Sequence, residues 1–165
     1  YPQNMNKYLI SILALLLLIF FGGSSLSFSG EIQDGLDAYK REDFKESFEY
    51  FHHSAEQGDA LAQLLLGLMY DEGKGVKQNY TEAVKWYRFS ADLGNASAQS
   101  NLGLMYAEGQ GVLQDYILAY MWFDLASSNG SKNGLEGLKM VKNKMSQSQI
   151  EKAQEMVRSW KPNKK

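Results

Sequence analysis

Apolar and polar positions along this chain follow the period of an α-helix, and the whole pattern returns after 36 residues. In its first occurrence, apolar residues at i, i+4, i+7 and i+8 share one helical face. They are Ala62, Leu66, Met69 and Tyr70, and their counterparts in the second occurrence are Ala98, Leu102, Met105 and Tyr106. A repeat of this length predicts an all-α fold, an α/α solenoid of antiparallel helix pairs, whose function resides in a binding surface.

Glycines stand at fixed places within each repeat. Gly67 lies inside the apolar stripe, where a glycine costs roughly 1 kcal/mol relative to alanine. Its recurrence at Gly103 predicts that another helix crosses there too closely for a side chain. Gly73 and Gly75 follow the first helix and predict a turn with positive φ angles. A second helix is predicted over about 80–93.

The repeat divides the chain into five parts. The predicted parts are a leader (1–29), a degenerate repeat (30–59), two complete repeats (60–95 and 96–131), and C-terminal capping helices with a tail (132–165). The degenerate copy lacks the Gly-x-Gly insertion and is predicted to turn tightly near 41–43. Residues 146–149 resemble a capping box, and an apolar stripe over 150–160 predicts a last helix that closes the open end of the stack.

Composition narrows the functions that suit such a solenoid. The net charge of −2 is far from that of a basic nucleic-acid binder, so no nucleic-acid partner is predicted. The chain has no cysteine, which excludes disulfides, thiolate metal sites and cysteine nucleophiles. The adjacent His52 and His53 cannot chelate jointly as an i, i+4 pair can, and no metal or cofactor is predicted. In the repeat His53 matches Phe89 and Leu125, which predicts a partly packed His53 and an outward His52.

The N-terminal residues follow the three-part pattern of a secretory signal peptide. Lys7 gives a positively charged start, 9–21 is an apolar run, and Ser27 and Ser29 offer small residues at a cleavage site. The apolar run is shorter than the roughly 17–25 residues that a helix needs to cross a bilayer. We therefore expect export to the periplasm or the medium, with no stable membrane span once the leader is cleaved. The alternative is an uncleaved N-terminal membrane anchor.

The pattern A-x-x-x-L-G-x-x-Y-x-x-G-x-G-V, followed by A-x-x-W, resembles the Sel-1-like repeat family, a branch of the tetratricopeptide-like α-solenoids. The resemblance covers about 34–130, and the end of the chain also looks like that of bacterial members. It implies a right-handed superhelix in which the first helix of each pair lines a concave face. It also implies adaptor work in protein complexes, often at the cell envelope or in host contact. Leu65 departs from the family, because it stands where Asn101 shows the common asparagine.

Tetratricopeptide positions that face the groove map onto twelve residues of this chain. They are Gln33, Asp37, Lys40 and Arg41 in the degenerate repeat, Leu64, Leu68, Asp71 and Glu72 in the first complete repeat, and Ser100, Leu104, Ala107 and Glu108 in the second. We expect this strip to mix exposed leucines with carboxylates, which suits an apolar peptide segment with basic residues. The alternative is ordinary solvated helix surface.

Two functions of different classes remain. The first hypothesis is a non-enzymatic exported scaffold that binds a protein or peptide through its concave face. The alternative is a cell-envelope enzyme or enzyme accessory that acts on peptidoglycan or β-lactams, because some secreted relatives with cysteine-bridged repeats are linked to β-lactam chemistry. This chain lacks their cysteines, and it has no Ser-x-x-Lys, Ser-Asp-Asn or Lys-Thr-Gly motif. The sequence therefore favours a protein without catalytic activity.

Overall fold

The computed structural model describes residues 30–163, and that part of the chain consists of helices joined by turns. The helices are α1 (30–40, counted from the first described residue), α2 (Phe44–Glu56), α3 (Ala60–Glu72), α4 (Tyr80–Asp92), α5 (Ala96–Glu108), α6 (Tyr116–Ser128), α7 (Lys132–Lys142) and α8 (Gln147–Ser159). The prediction of an all-α solenoid is confirmed. The predicted leader, 1–29, lies outside the described residues.

From α2 to α7, helices that follow one another along the chain pack against one another. α3 lies between α2 and α4, and α5 lies between α4 and α6, so each helix pair stacks on the next. α7 contacts both α5 and α6, and α8 packs on α6. The capping box predicted at 146–149 is present at the start of α8. None of the helices within 30–163 combines the length and apolar content that crossing a membrane requires.

Short polar side chains set the beginnings of the helices in the complete repeats. Asp59 and Asn95 cap α3 and α5, and Asn79 and Asp115 cap α4 and α6. In each case a side-chain oxygen accepts hydrogen bonds from backbone N–H groups of the first turn, which have no partner within the helix. The caps recur at the 36-residue spacing, so the helices of the two complete repeats begin at equivalent positions.

The first helix of each pair crosses the second at a glycine. A Cβ atom added to any of these glycines would lie closer than 3 Å to an aromatic ring of the second helix. The three contacts are Gly35 with Phe51 (2.6 Å), Gly67 with Tyr87 (2.6 Å) and Gly103 with Phe123 (2.8 Å). All three rings are buried. The close crossing predicted at Gly67 and Gly103 is confirmed, and the glycines are there because a side chain would displace a packed ring.

The Gly-x-Gly turn of each complete repeat packs against the backbone of the preceding repeat. Gly75 and Gly111 both have φ +69°, and a Cβ on either would collide with a backbone carbonyl oxygen. That carbonyl belongs to Phe44 for the first turn and to Tyr80 for the second, which are the first residues of α2 and α4. The predicted positive φ angles are confirmed. The degenerate repeat instead turns at 41–43, as predicted, with Glu42 at φ +63°.

Buried glutamines join successive pairs in the same way in both repeats. The Gln63 side chain donates to the Ala55 carbonyl at 3.2 Å, and Gln99 donates to the Ala91 carbonyl at 3.2 Å. Each bond runs from a first helix to the second helix of the preceding pair. The packing of the two complete repeats is thus the same even in individual hydrogen bonds. Because these bonds and the glycine crossings bury the same sides of α3 and α5, the same side of each helix remains on the surface.

We expect Gly111→Ala to destabilise the fold more than Gly94→Ala. Both glycines have positive φ, for which alanine costs about 1–2 kcal/mol, but nothing lies within 4 Å of a Cβ at Gly94. The collision with the Tyr80 carbonyl should cost Gly111→Ala at least about 1 kcal/mol more. Urea unfolding of the two variants measures the difference. Equal losses would show that the turn does not depend on its contact with α4.

Candidate partner-binding site

The exposed sides of α1, α3, α5 and α7 form the surface that we call the first-helix face. On α3 it contains Leu61, Leu65, Leu68 and Glu72, which stand at i, i+4, i+7 and i+11 and therefore share one side of the helix. None of the four side chains is fully buried. The corresponding positions of α5 include Asn101, Leu104 and Glu108. Two pockets and one polar cluster occupy this face.

The first pocket, the α1–α3 pocket, has a volume of about 220 Å³. Its lining is almost wholly apolar and consists of Leu36, Tyr39, Phe51, Leu65, Leu68, Met69 and Glu72. The Glu72 carboxylate is already neutralised, because Lys74 Nζ lies 2.7 Å from its Oε2. The same ammonium donates to the Tyr39 hydroxyl at 2.6 Å. The pocket therefore offers apolar surface with a rim whose charges are paired.

The second pocket, the α5–α7 pocket, has a volume of about 430 Å³. It is lined by Ser100, Asn101, Leu104, Phe123, Asn133, Glu136, Gly137 and Met140. Leu104 and Met140 are both exposed, although they are large and apolar. Leu104 stands 36 residues after Leu68, so the same repeat position contributes a leucine to each pocket.

A half-buried carboxylate lies on the first-helix face between the two pockets. Tyr87 Oη donates a hydrogen bond to Asp71 Oδ2 at 2.9 Å, and the Asn101 side chain lies beside the same hydroxyl. Burial raises the pKa of Asp71 above its ordinary value, and the Tyr87 bond opposes this. Burial, followed by the Asp71 charge, raises the pKa of the Tyr87 hydroxyl strongly. The Tyr87 hydroxyl therefore stays protonated and serves as a donor.

No cation neutralises this carboxylate within the described residues. The charged group that acts on Asp71 is Glu72, which is another carboxylate and raises its pKa further. The sequence contains no lysine or arginine between Arg88 and Lys132. Glu108, at the end of α5, is exposed and forms no ion pair within 30–163. The middle of the first-helix face therefore carries uncompensated negative charge.

Three of the twelve predicted site residues are buried, and the expectation of exposure was wrong for them. Leu64, Ser100 and Ala107 are 8%, 5% and 6% exposed. Leu64 belongs to the same core cluster as Tyr87, and Ser100 bonds to the Ser131 hydroxyl at 2.7 Å. For Leu64 and Ser100 the prediction was displaced by one residue along the helix, because positions 65 and 101 face the surface. Ser100 is buried but still lines the α5–α7 pocket.

The remaining predicted residues divide into three groups. Leu68 and Glu72 line the α1–α3 pocket, Leu104 lines the α5–α7 pocket, and Asp71 and Glu108 are the carboxylates described above. On α1, Gln33 and Lys40 both donate to Asp37 Oδ1, at 3.0 and 2.9 Å, so their polar groups satisfy one another. Arg41 instead bonds to Glu46 of α2 at 2.9 Å and does not join either pocket.

Eleven of the residues that line the two pockets escaped the sequence prediction. Among them, Leu65 and Asn101 occupy equivalent repeat positions, and their spacing of three residues from Leu68 and Leu104 could have identified them. Met140 lies on α7, beyond the last complete repeat, where the periodic pattern fades and no equivalent position guides the reading. The pattern could therefore have located the α3 and α5 parts of the face but not the α7 part.

The two histidines have the reverse of the predicted environments. The His52 ring packs between Phe48 and Trp86, with ring centroids 5.7 and 6.0 Å away. His53 is exposed, and its Nδ1 lies 2.9 Å from Glu31 Oε2. Position 52 faces the next helix pair, whereas position 53 lies on the outside. Within 30–163 no group of three potential metal ligands occurs.

The family model described as Sel1 repeat matches three consecutive segments of the chain, 30–59, 60–95 and 96–131. Among curated proteins, none matches this chain. The matched segments cover more than half of the sequence and comprise the degenerate and both complete repeats.

Solved structures with a similar fold include proteins of three bacteria. A protective antigen of uropathogenic Escherichia coli, which displays an SLR fold, is 31% identical with a TM-score of 0.77, and the match covers 81% of this chain and 29% of the antigen. A Sel1 repeat protein from Oxalobacter formigenes is 34% identical with a TM-score of 0.56, over 58% of this chain and 40% of that one. Helicobacter pylori cysteine rich protein B is 21% identical with a TM-score of 0.54, and the match covers 67% of this chain and 93% of that protein. At this level of identity the similarity supports the fold alone. The chain thus spans well under half the length of the first two proteins.

The raised pKa of Asp71 predicts how its contribution to stability depends on pH. A carboxyl with a raised folded-state pKa stabilises the fold below its ordinary value of 3.8, and this contribution is lost as the pH rises through the folded-state pKa. We expect the free energy of unfolding of the wild type, relative to Asp71→Asn, to fall as the pH rises from about 3.8 to neutrality.

Asp37→Asn is the matched control with the opposite sign. Lys40 lowers the pKa of Asp37, so that carboxylate stabilises the fold above 3.8 and loses its effect as the pH falls through the lowered pKa. Denaturant titrations from neutrality to below pH 3.8 measure both differences. Parallel pH trends for the two variants would contradict the environment described for Asp71.

Proposed function

The chain belongs to the Sel1 repeat family, and from this premise we propose that it is a non-enzymatic scaffold that binds a protein partner through its first-helix face. Sel1 repeats generally mediate protein interactions. The observation that carries the proposal is the pair of apolar pockets on one face, with exposed Leu104 and Met140 in one of them. Apolar side chains held open to solvent on neighbouring helices favour contact with another protein chain.

The size of the α1–α3 pocket supports a side chain of a partner over a free small molecule. Its volume of about 220 Å³ lies below the roughly 300–1,000 Å³ typical of small-molecule sites. It accommodates one apolar side chain, with the rest of the partner lying on the surface around it. A partner that fills both pockets would span α1 to α7, which explains why several repeats are needed for one site.

We also propose that the protein acts outside the cytoplasm, as an exported protein of a bacterium. The signal-peptide pattern before residue 30 supports this location. The similar structure from uropathogenic E. coli is described as a protective antigen, a description that accords with exposure outside the cell. Finding the protein in the periplasmic extract or the culture medium would support export, and finding it only in the cytoplasm would oppose it.

The alternative of an envelope enzyme or accessory for peptidoglycan or β-lactams has no specific observation in its favour within 30–163. It nevertheless makes a simple prediction of its own. Purified protein that hydrolyses a chromogenic β-lactam, or releases fragments from peptidoglycan, would contradict the scaffold.

We expect the double variant Leu68→Glu/Leu104→Glu to lose partner binding, because it places a charge in each pocket. The measurement is panning of a displayed library of random 12-residue peptides on the immobilised full chain. Wild type should enrich peptides about tenfold or more over the double variant, which corresponds to about 1.4 kcal/mol of binding free energy. Circular dichroism establishes that both proteins are folded.

The matched control is Phe89→Glu/Leu113→Glu, which adds the same charge away from the first-helix face. Phe89 lies on α4, and Leu113 lies in a turn and is 90% exposed. This control should enrich peptides as the wild type does. Equal enrichment by the wild type and Leu68→Glu/Leu104→Glu would remove the first-helix face from the account of function.

A further inference from the structure

Three recognition points follow one another across the first-helix face. The α1–α3 pocket comes first, Asp71 lies next, between α3 and α5, and the α5–α7 pocket comes last. The two outer points are apolar, whereas the middle point is a carboxylate. A partner that crosses the helices in this direction meets apolar, negative and apolar surface in that order.

The position of Asp71 relates the two pockets to one another. Asp71 lies on α3, and the Asn101 side chain of α5 lies beside the Tyr87 hydroxyl that bonds to Asp71. The α1–α3 pocket therefore lies on one side of this carboxylate and the α5–α7 pocket on the other. An extended segment that crosses from α1 to α7 would present successive side chains to the first pocket, to Asp71 and to the second pocket.

The negative point occurs at one of the three crossings between the first and second helices of a pair. Tyr87, whose hydroxyl bonds to Asp71, is replaced by Phe51 in the preceding repeat and by Phe123 in the following one. Ala107 takes the place of Asp71 in the following repeat. The neighbouring crossings of this kind thus have no such polar pair.

Asp71 also differs from the other carboxylates of the face. Glu108 and Glu136 are exposed, whereas Asp71 is half-buried and accepts a hydrogen bond from Tyr87. Solvent therefore screens a cation bound at Asp71 less than one bound at either glutamate.

The Asp71 carboxylate has no counter-ion within 30–163. One of its oxygens accepts from Tyr87, and the charged group that acts on it is the carboxylate of Glu72. A half-buried carboxylate gains more from an added ammonium or guanidinium than an exposed one does, because solvent screens it less. The long apolar stem of lysine or arginine could also lie along Leu68, which precedes Asp71 by three residues on α3 and therefore adjoins it.

We propose that the first-helix face recognises an extended protein segment in which a lysine or arginine stands between two apolar side chains. This inference rests on the proposed function and specifies the chemistry of the partner. The apolar side chains fill the α1–α3 and α5–α7 pockets, and the cation binds Asp71. Charge complementarity at Asp71 selects such a segment over an acidic one.

The test compares the sequences that the wild type and Asp71→Asn enrich from the random peptide library. Asparagine keeps an oxygen that can accept from Tyr87 but removes the charge. The wild type should enrich peptides with the apolar–basic–apolar order, and Asp71→Asn should keep the apolar preference and lose the basic one. A peptide selected on the wild type should bind Asp71→Asn about tenfold or more weakly, as expected for a lost charge-assisted hydrogen bond.

Glu72→Gln is the matched control, because it removes the neighbouring carboxylate, which Lys74 already pairs with. It should retain the basic preference. Enrichment without a basic preference on the wild type, or an unchanged preference on Asp71→Asn, would overturn this inference and leave the proposed function standing. No enrichment by the wild type over Leu68→Glu/Leu104→Glu would contradict the proposed function and the inference together.

Discussion

The contact between a glycine of each first helix and an aromatic ring of its second helix is the constraint on which the rest of this structure depends. At Gly67 and Gly103 the ring lies where a side chain would begin, so the two helices pack at backbone distance. This contact fixes the rotation of the first helix about its axis. One side of α3 is thereby buried against α4, and the stripe with Leu65 and Leu68 remains on the surface. The binding face is thus a consequence of the framework, although no framework residue needs to touch the partner.

The framework tolerates chemical variation at places that matter for recognition. Tyr87 and Phe123 fill the same space beneath a glycine, but Tyr87 also has a hydroxyl, which donates to the half-buried Asp71. In the following repeat the equivalents, Phe123 and Ala107, are both apolar. A single hydroxyl and a single carboxylate therefore distinguish one repeat from the next without disturbing the packing. The backbone packing is the same in each repeat, whereas the surface side chains differ. A stack of similar repeats can therefore present apolar and charged groups in a defined order.

Features that recur in both complete repeats could be predicted from the sequence, because the same residue type at the same place in two repeats supports the same interpretation twice. The crossing at Gly67, the positive φ at Gly75 and the helix pairs follow from residue types that return after 36 positions. The prediction that Leu64 is exposed was wrong, because residues 64–66 are all leucines. Neighbouring residues point about 100° apart around a helix, and residue type alone does not tell which of three leucines faces outward. Met140 was missed because α7 lies outside the regular pattern. The order of apolar and charged points also required the structure, since it depends on which helices adjoin.

Methyl NMR spectra of the full chain, recorded with and without a peptide selected on the wild type, distinguish binding at the first-helix face from binding at the outer helices or turns. We expect shifts for the methyl groups of Leu65, Leu68, Leu104 and Met140, which line the two pockets. Leu113 lies in a turn, is 90% exposed and lines neither pocket, so its methyl groups should stay unchanged. Shifts at Leu113 with unchanged signals from the pocket residues would contradict binding at this face.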